Sequence, residues 1–127
     1  MSQFRYGDLV WMNFDPSLGH EQKKRRPAVV VSNDAYNRYN NVIMVVPISH
    51  AKEYPLHVDI GTVPQEDSKK PIHGWAEVEQ LKSLDVSIRN TVKVGSLDYR
   101  TLSVISARIF DCLRRPTTFI RDVLDAE

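Results

Sequence analysis

The sequence predicts a small, mainly β domain of the α+β type: an antiparallel barrel or strongly bent sheet with a C-terminal helix packed against it. Short β-prone runs fill most of the chain, and apolar residues at helical spacing appear only near its end. The strands are not separated by helices, which argues against parallel β–α–β units. With 127 residues, of which 42% are hydrophobic, the chain can build one core, so one domain is expected.

The first strands are predicted from apolar runs. Residues 7–15 (GDLVWMNFD) alternate two largely apolar sets, so both faces of this strand should be covered. Residues 27–32 (PAVVVS) and 42–48 (VIMVVPI) are short valine-rich runs and are assigned as central strands. Residues 32–41 are rich in Asn and Asp, which predicts a loop with one helical turn.

The second half of the chain predicts weaker strands. Residues 56–60 alternate apolar and polar types and predict a half-buried strand. Residues 61–71 are polar and predict a loop. Residues 74–81 predict a further strand, and residues 91–94 predict a short last one, for five or six strands in total.

A helix is predicted after Asp98, which can act as its N-cap. Cys112 lies at the edge of the apolar stripe of this helix and is expected to be a small apolar residue there. After Pro116 a short second helix is expected, with apolar residues on one face. The main stripe consists of Leu102, Ile105, Ile109 and Leu113, and the second of Phe119, Ile120, Val123 and Leu124.

Composition excludes several classes of function. The 17 Lys and Arg nearly balance the 16 Asp and Glu, so any basic site must be local. A single cysteine allows no internal disulfide and makes a zinc site improbable. No segment approaches the roughly 20 apolar residues of a membrane span. Residues 1–7 lack the long apolar run of a signal peptide. A cytoplasmic protein is therefore expected. Motifs of nucleotide hydrolysis, of the esterase elbow and of zinc proteases are absent from the sequence.

The densest basic cluster is residues 23–26 (KKRR), in a polar loop that follows turn-forming residues 15–19. Arg26 stands where this loop joins a buried strand, so its planar guanidinium could face a phosphate in a fixed geometry. The alternative interpretation is a solvated charge run that only keeps the surface soluble.

Ser49 and His50 follow directly after the apolar strand that ends at Ile48. A histidine there could take a proton from a ribose 2′-hydroxyl near neutral pH. The alternative is an ordinary exposed turn.

Glu77 and Glu79 lie two apart on a predicted strand and would face the same way, which raises the possibility of a metal or paired-carboxylate site. No third acidic ligand lies nearby in sequence, so no metal and no cofactor are predicted. His57 and His73 are isolated and receive no role at this point.

Several segments in order resemble the MazF/PemK/Kid family of toxins, over about residues 6–113. They are residues 7–11 (GDLVW), 13–16 (NFDP), 19–22 (GHEQ), 26–32 (RPAVVVS), 46–49 (VPIS), 54–56 (YPL), 79–84 (EQLKSL), Gly95 and 107–109 (ARI). The resemblance implies a dimeric, SH3-like barrel that acts as a sequence-specific, metal-independent endoribonuclease on single-stranded RNA. It also implies that the chain is the toxin half of a toxin–antitoxin pair.

The resemblance assigns catalysis to Arg26 and to the hydroxyl of Ser49, where family members usually have threonine. We add His50, and secondarily Glu21, as further catalytic candidates, with His20 as the less favoured proton-transfer group. Some relatives have an arginine and an aspartate where this chain has Glu77 and Glu79. Glu79 keeps the carboxylate, but the arginine of that version of the mechanism is missing. The predicted RNA contacts are His20, Gln22, Lys23, Lys24, Arg25, Glu79, Gln80 and Lys82.

The resemblance further implies a cognate antitoxin whose acidic, disordered tail folds onto the toxin homodimer. We assign residues 1–113 to the toxin domain and residues 114–127 to a short helical extension of it. Two alternatives stay open: a non-enzymatic, CcdB-like gyrase poison and an SH3-like binding module. The first is disfavoured because those proteins lack the Arg-Pro and Pro-x-Ser/Thr combination found here.

Overall fold

The computed structural model describes residues 2–14, 25–50 and 52–115. Within these ranges the strands are β1 (Asp8–Asn13), β2 (Arg25–Val30), β3 (Val42–Ser49), β4 (His57–Gln65), β5 (Ser68–Glu77), β6 (Lys82–Asp85) and β7 (Val92–Ser96). The helices are α1 (Asp34–Tyr39) and α2 (Tyr99–Leu113), with 3₁₀ turns at Val78–Gln80 and Val86–Ile88.

The strands pair antiparallel in the order β4-β5-β3-β2-β1-β7, and β6 pairs with β3. The backbone N–H of Glu66, in the turn after β4, donates to the carbonyl of Val94 on β7 at 2.7 Å. This contact brings the two ends of the strand order together, so the sheet forms a nearly closed barrel. The predicted class, a small antiparallel barrel with a C-terminal helix, is confirmed.

The core lies on both faces of the central strands. Leu9 of β1 packs in one buried cluster, to which α2 contributes Leu102 and Ile105. Val10 and Met12 of the same strand pack in a second buried cluster on the opposite side. The prediction that both faces of the first strand are covered is therefore correct, and burial on both faces makes β1 a rigid base for its neighbours.

Helix α2 begins as predicted but covers less of the barrel than expected. The carboxylate of Asp98 accepts a hydrogen bond from the backbone N–H of Thr101 at 2.7 Å, the geometry of an N-cap. Ile109 still packs against the core, whereas Leu113 is 73% exposed. Cys112 is also exposed, so the expectation of a packed apolar residue there is wrong. The expected helix after Pro116 lies outside the described residues.

Neither α1 nor α2 has both the length and the hydropathy that a membrane-spanning helix would need.

Helix α1 provides the helical turn that was predicted within residues 32–41. Its N-cap is Asn33, whose side-chain oxygen accepts from the backbone N–H of Tyr36 at 2.9 Å.

Residues 61–71 form a hairpin rather than the predicted loop. Strands β4 and β5 continue through this region, and Val63 lies opposite Ile72 with both side chains buried. The other side chains of the segment are mostly exposed. Pro64 and Pro71 are of a residue type that disfavours strands. A strand pair with one face in water has little apolar signal, which is why the sequence indicated a loop.

The predicted strand over residues 74–81 is also shorter than expected. Strand β5 ends at Glu77, and Glu79 lies on the following 3₁₀ turn rather than on a strand. The chain then forms β6, which was not predicted because its four residues (KSLD) carry no clear alternation.

Gly74 permits the close approach of β5 to β3. Its φ is +144°, and a Cβ built on it would lie 2.5 Å from the carbonyl oxygen of Ser49. Ser49 pairs with Trp75 in the register of these strands. A side chain at position 74 would therefore push the end of β3 away from β5.

His57, at the start of β4, is tied to the 3₁₀ turn. Its Nε2 lies 2.8 Å from a carboxylate oxygen of Glu79 and 3.8 Å from one of Glu77, and its Nδ1 lies 2.9 Å from the carbonyl of Lys52. The side chain is only 8% exposed. Burial alone would lower the pKa of His57, but the hydrogen bonds to Glu79 and Lys52 and the two nearby carboxylates raise the pKa above 6.5.

Gly74→Ala should destabilise the fold more than Gly61→Ala. Gly61 has φ +71° and no atom within 4 Å of a built Cβ, so alanine there incurs only backbone strain, about 1–2 kcal/mol. At Gly74 the strain adds to the overlap with the Ser49 carbonyl, so we expect a loss of about 3 kcal/mol or more. Urea unfolding of the two variants measures both values. Equal losses would show that the β3–β5 approach is not constrained at this point.

The pairing of His57 with Glu79 should stabilise the fold at low pH. Because the pKa is raised in the folded state, the stabilisation is fully present below the unfolded pKa of about 6.5 and is lost as pH rises through the folded pKa. We expect Glu79→Gln to be less stable than wild type near about pH 6, with a smaller difference near about pH 8.5. Urea unfolding at both pH values tests this. Glu53→Gln, which removes a nearby exposed carboxylate, is the control, and a pH-independent difference for Glu79→Gln would contradict the assignment.

Candidate active site

An open depression of about 480 Å³ lies where the ends of β2, β3 and β5 meet. Its lining includes no Asp or Glu among the described residues, whereas Arg25, Arg26 and Lys70 all contribute to it. The depression is therefore a local basic surface on a chain with a formal net charge of only +1. Its other polar lining residues are Ser49, His50, Gln65 and His73.

Arg26 lies near the start of β2, opposite Met12 of β1. Met12 is fully buried in the core, and the next residue of β2, Pro27, pairs with Trp11. The backbone under the Arg26 guanidinium is thus held on a rigid sheet, while the side chain itself is exposed at the depression. This placement fits the prediction of an arginine presented to a phosphate.

The side chain of Arg25 is held by hydrogen bonds at the edge of the depression. Its guanidinium donates to the carbonyl of Asn90 at 2.7 Å and to the side-chain oxygen of Asn13 at 3.4 Å. Arg25 also lines the depression. Arg25 therefore contributes positive potential and fixes the start of β2 at the same time.

Ser49 and His50 lie at the end of β3, as predicted. Ile48, the residue before them, is buried in the core, Ser49 is half-buried and His50 is exposed. Both Ser49 and His50 line the depression with Arg26. The structure thus brings together a guanidinium, a hydroxyl and an imidazole that are up to 24 positions apart in the sequence.

His73, which received no role from the sequence, also belongs to this site. It lies on β5, and its ring centroid is 4.9 Å from that of His50, with the planes inclined at 59°. His50 and His73 also line a second, open depression of about 350 Å³, bordered by Asp59, Thr62 and Trp75 among others. The histidine pair therefore stands between two adjoining depressions. Only the pairing of β3 with β5 brings the two rings together, so no local sequence signal could have indicated it.

Trp11 and Gln65 line the larger depression and were not predicted as site residues. The Trp11 indole N–H donates to the Gln65 side-chain oxygen at 3.0 Å, and the Gln65 amide nitrogen donates to the carbonyl of Lys70 at 2.7 Å. This chain of hydrogen bonds fixes the orientation of the Gln65 amide. The signal for Trp11 was its position on β1, where it was interpreted only as a strand residue.

Other residues predicted to contact RNA lie elsewhere. Glu79 and Gln80 are on the 3₁₀ turn and Lys82 is on β6, and none of them lines either depression. Their contact with RNA stays a prediction. The predicted loop residues His20, Glu21, Gln22, Lys23 and Lys24 lie outside the described residues.

Within the described part of the chain, the cluster that could hold a metal ion is His57 with Glu77 and Glu79, whose ligand atoms lie within 4.8 Å of one another. The sequence reasoning considered the two glutamates but missed His57 as a third member, because it lies about 20 positions earlier. The 2.8 Å contact between His57 and Glu79 occupies the Nε2 atom, which is the geometry of an ion pair. The cluster borders neither depression.

Taken together, the larger depression combines positive charge, a hydroxyl and two imidazoles on a rigid strand framework. Such groups can bind a phosphodiester, stabilise charge on its oxygens and transfer protons. The apolar part of the lining, Trp11, Pro27 and Ile72, gives a base or sugar a surface to pack on.

Known proteins resemble this chain over most of its length. It is 36% identical over 104 residues to the endoribonuclease toxin MazF of Escherichia coli K12, a match that covers 81% of this chain and 87% of that protein. It is 33% identical over 95 residues to the endoribonuclease toxin ChpB of the same organism, covering 74% and 80% respectively. Endoribonuclease is thus the activity named for both relatives.

The fold is also found among solved structures. A chain in the crystal structure of MazE–MazF (Form-II) from Deinococcus radiodurans matches with a TM-score of 0.68 and 26% identity, covering 89% of this chain and 97% of that one. The sequence model of the family described as PemK-like, MazF-like toxins of type II toxin–antitoxin systems matches residues 5–113. The resemblance inferred from the sequence motifs is thereby confirmed, and the chain belongs to the PemK-like, MazF-like family of toxins of type II toxin–antitoxin systems.

Proposed function

We propose that this chain is an endoribonuclease toxin that cleaves single-stranded RNA in the basic depression. The observation that carries the proposal is the convergence of Arg26, Ser49 and His50 on one open depression whose described lining has no carboxylate. The family and the activity named for its relatives support the same reaction. Single-stranded RNA fits because the depression is open, so that an unpaired chain can lie across it.

The cleavage uses the nucleophile that RNA carries. The 2′-oxygen attacks the adjacent phosphorus, a 2′-O–P bond forms, and the bond from phosphorus to the 5′-oxygen of the next nucleotide breaks. One proton leaves the 2′-hydroxyl and one is delivered to the departing 5′-oxygen. The products are a 2′,3′-cyclic phosphate and a free 5′-hydroxyl. The reaction needs no metal in principle, because positioned cations and hydrogen-bond donors can stabilise the phosphoryl oxygens.

Arg26 acts on the developing negative charge. A guanidinium offers paired N–H donors that match two phosphoryl oxygens, and a preorganised donor of this kind lowers the barrier by about 3 kcal/mol. Arg26 is not the base, because a guanidinium with a pKa above about 12 gives up its proton reluctantly. Ser49 donates a further hydrogen bond to the phosphate, and His50 takes the proton of the 2′-hydroxyl.

The partners follow from the same basic surface. An acidic, disordered antitoxin tail would meet Arg25, Arg26 and Lys70 in the depression where RNA binds, and so would block it. The solved structure that resembles this chain contains MazE together with MazF, which fits such a pairing. We further propose that the toxin works as a homodimer in the cytoplasm, with residues 1–113 as the toxin domain and 114–127 as its extension. Glu21 and the other loop residues named above stay candidates for catalysis and RNA contact.

Replacing Arg26 should abolish most of the cleavage. With a long defined RNA in excess EDTA, the wild-type protein should give discrete fragments with cyclic phosphate ends. Arg26→Ala should be slower by about 10²–10³-fold, the usual loss when one preorganised donor is removed. Single-turnover cleavage rates and analysis of the fragment ends measure both results.

Arg38→Ala is the matched control for this experiment, because Arg38 is an exposed arginine on α1 that lines neither depression. Its cleavage rate should equal that of the wild type. If the wild type leaves RNA intact under all conditions, the proposed ribonuclease is wrong. RNA binding without cleavage would then favour a binding module, and inhibition of DNA gyrase would favour a gyrase poison.

The hydroxyl of Ser49 should matter more than the rest of its side chain. Ser49→Ala should lower the cleavage rate about 10- to 100-fold, the equivalent of a lost hydrogen bond to a charged group. Ser49→Thr keeps the hydroxyl and should retain cleavage within a few-fold of wild type. Equal rates for the alanine variant and the wild type would remove Ser49 from the mechanism.

A further inference from the structure

His73 is a second exposed imidazole in the depression, and the reaction as described still lacks a donor for the departing 5′-oxygen. His73 and His50 are in ring contact, with centroids 4.9 Å apart. Both side chains are exposed and therefore accessible to a substrate. Each lines the larger depression together with Arg26 and Ser49.

We propose that His73 is the general acid of this site, which protonates the 5′-oxygen as the bond to phosphorus breaks, while His50 is the general base. The inference rests on the proposed ribonuclease function. The proposed reaction begins with the His50 ring neutral and the His73 ring protonated, and after cleavage the proton has moved from one ring to the other. The proton balance is complete, because the proton taken from the 2′-hydroxyl equals the one delivered to the 5′-oxygen.

The strand framework fixes the backbone at both histidines. His50 directly follows β3, and His73 directly precedes Gly74, where β5 makes its close approach to the Ser49 carbonyl. On its other side β5 pairs with β4, with Thr62 opposite His73. The position of His73 is thus determined by two strand pairings, which is the kind of support that a proton-transfer group needs.

The location between the two depressions fits the two halves of the substrate. A strand of RNA that crosses from the larger depression to the smaller one passes over the histidine pair. The two nucleotides that flank the cleaved phosphate would then bind in different depressions. Among the residues that the structure describes, the charged groups that line these two depressions with the pair are Arg25 and Arg26 of β2, Lys70 of β5 and Asp59 of β4. The three cations favour the approach of the phosphate, and Asp59 lies on the side of the smaller depression.

The test compares a normal RNA with the same RNA carrying sulfur in place of the 5′-oxygen at the cleaved bond. A thiol has a pKa of about 8.5, far below that of an alcohol, so a thiolate departs without protonation. On normal RNA, His73→Ala and His73→Gln should be slower than wild type by about 10²–10⁴-fold, the range of a general acid. On the sulfur-containing RNA both variants should cleave within a few-fold of wild type, whereas His50→Ala should be slow on both substrates.

The pH dependence gives a second readout. The wild-type rate should rise and then fall with pH, because one ring must be neutral and the other protonated. His73→Gln should lose the fall at high pH, and His50→Ala should lose the rise from low pH. Lys69→Gln, an exposed residue of β5 that lines neither depression, is the control for substitutions on this strand.

The outcomes separate this inference from the proposed function. Wild-type cleavage with unchanged rates and pH profile in both His73 variants would overturn the role of His73 and leave the ribonuclease intact. Sulfur rescue of His50→Ala instead of the His73 variants would equally overturn it. No cleavage by the wild type would refute the ribonuclease itself. Thermal unfolding of each variant establishes that the fold is retained, as expected for exposed positions.

Discussion

Strand β3 is hydrogen-bonded along both of its edges, and the geometry of the site depends on this pairing. One edge pairs with β2, and the other pairs first with β6 and then with β5. Ile43, Val45, Val46 and Ile48 of this strand are buried in the two core clusters. A strand held by backbone hydrogen bonds and packed on both faces has little freedom to shift. Ser49 and His50 lie where this strand leaves the core. The packing of the core therefore fixes the positions of their backbone atoms.

The approach of β5 to β3 completes the site. It needs a residue without a side chain at Gly74, and it sets His73 against His50 across the strand pair. The neighbouring hairpin of β4 and β5 extends to the turn at Glu66, whose contact with Val94 closes the barrel. The same hairpin supplies Gln65 and Lys70 to the larger depression and Asp59 and Thr62 to the smaller one. The β4–β5 hairpin thus contributes both to the closure of the barrel and to the lining of the site.

The charge of the site is a local property. Arg25, Arg26 and Lys70 come from two strands that are distant in sequence, and no Asp or Glu of the described residues lines this depression. Anionic partners would be attracted to this depression without any strong overall charge, within the roughly 10 Å over which salt leaves such fields effective. Both RNA and an acidic protein tail carry the charge that this surface attracts, which gives a physical basis for inhibition of a nuclease by competition.

Local sequence patterns were enough to predict the fold class, the central strands, the capped helix and the placement of Arg26, Ser49 and His50 at strand ends. These features have local signals: valine-rich runs, an N-cap before a stripe at helical spacing, and polar residues that directly follow buried ones. The family motifs indicated the toxin family to which the chain belongs. The sequence misjudged residues 61–71, because a hairpin with one face in water carries few apolar residues.

Which residues distant in sequence come into contact could be seen only in the folded barrel. His57 contacts Glu79 and lies outside the basic depression. His73 is equally isolated in sequence, but it lines that depression and contacts His50. Local periodicity indicates whether a side chain faces the core or water, but it does not indicate which strand becomes its neighbour. That choice depends on strand order and register, which arise from the packing of the whole barrel.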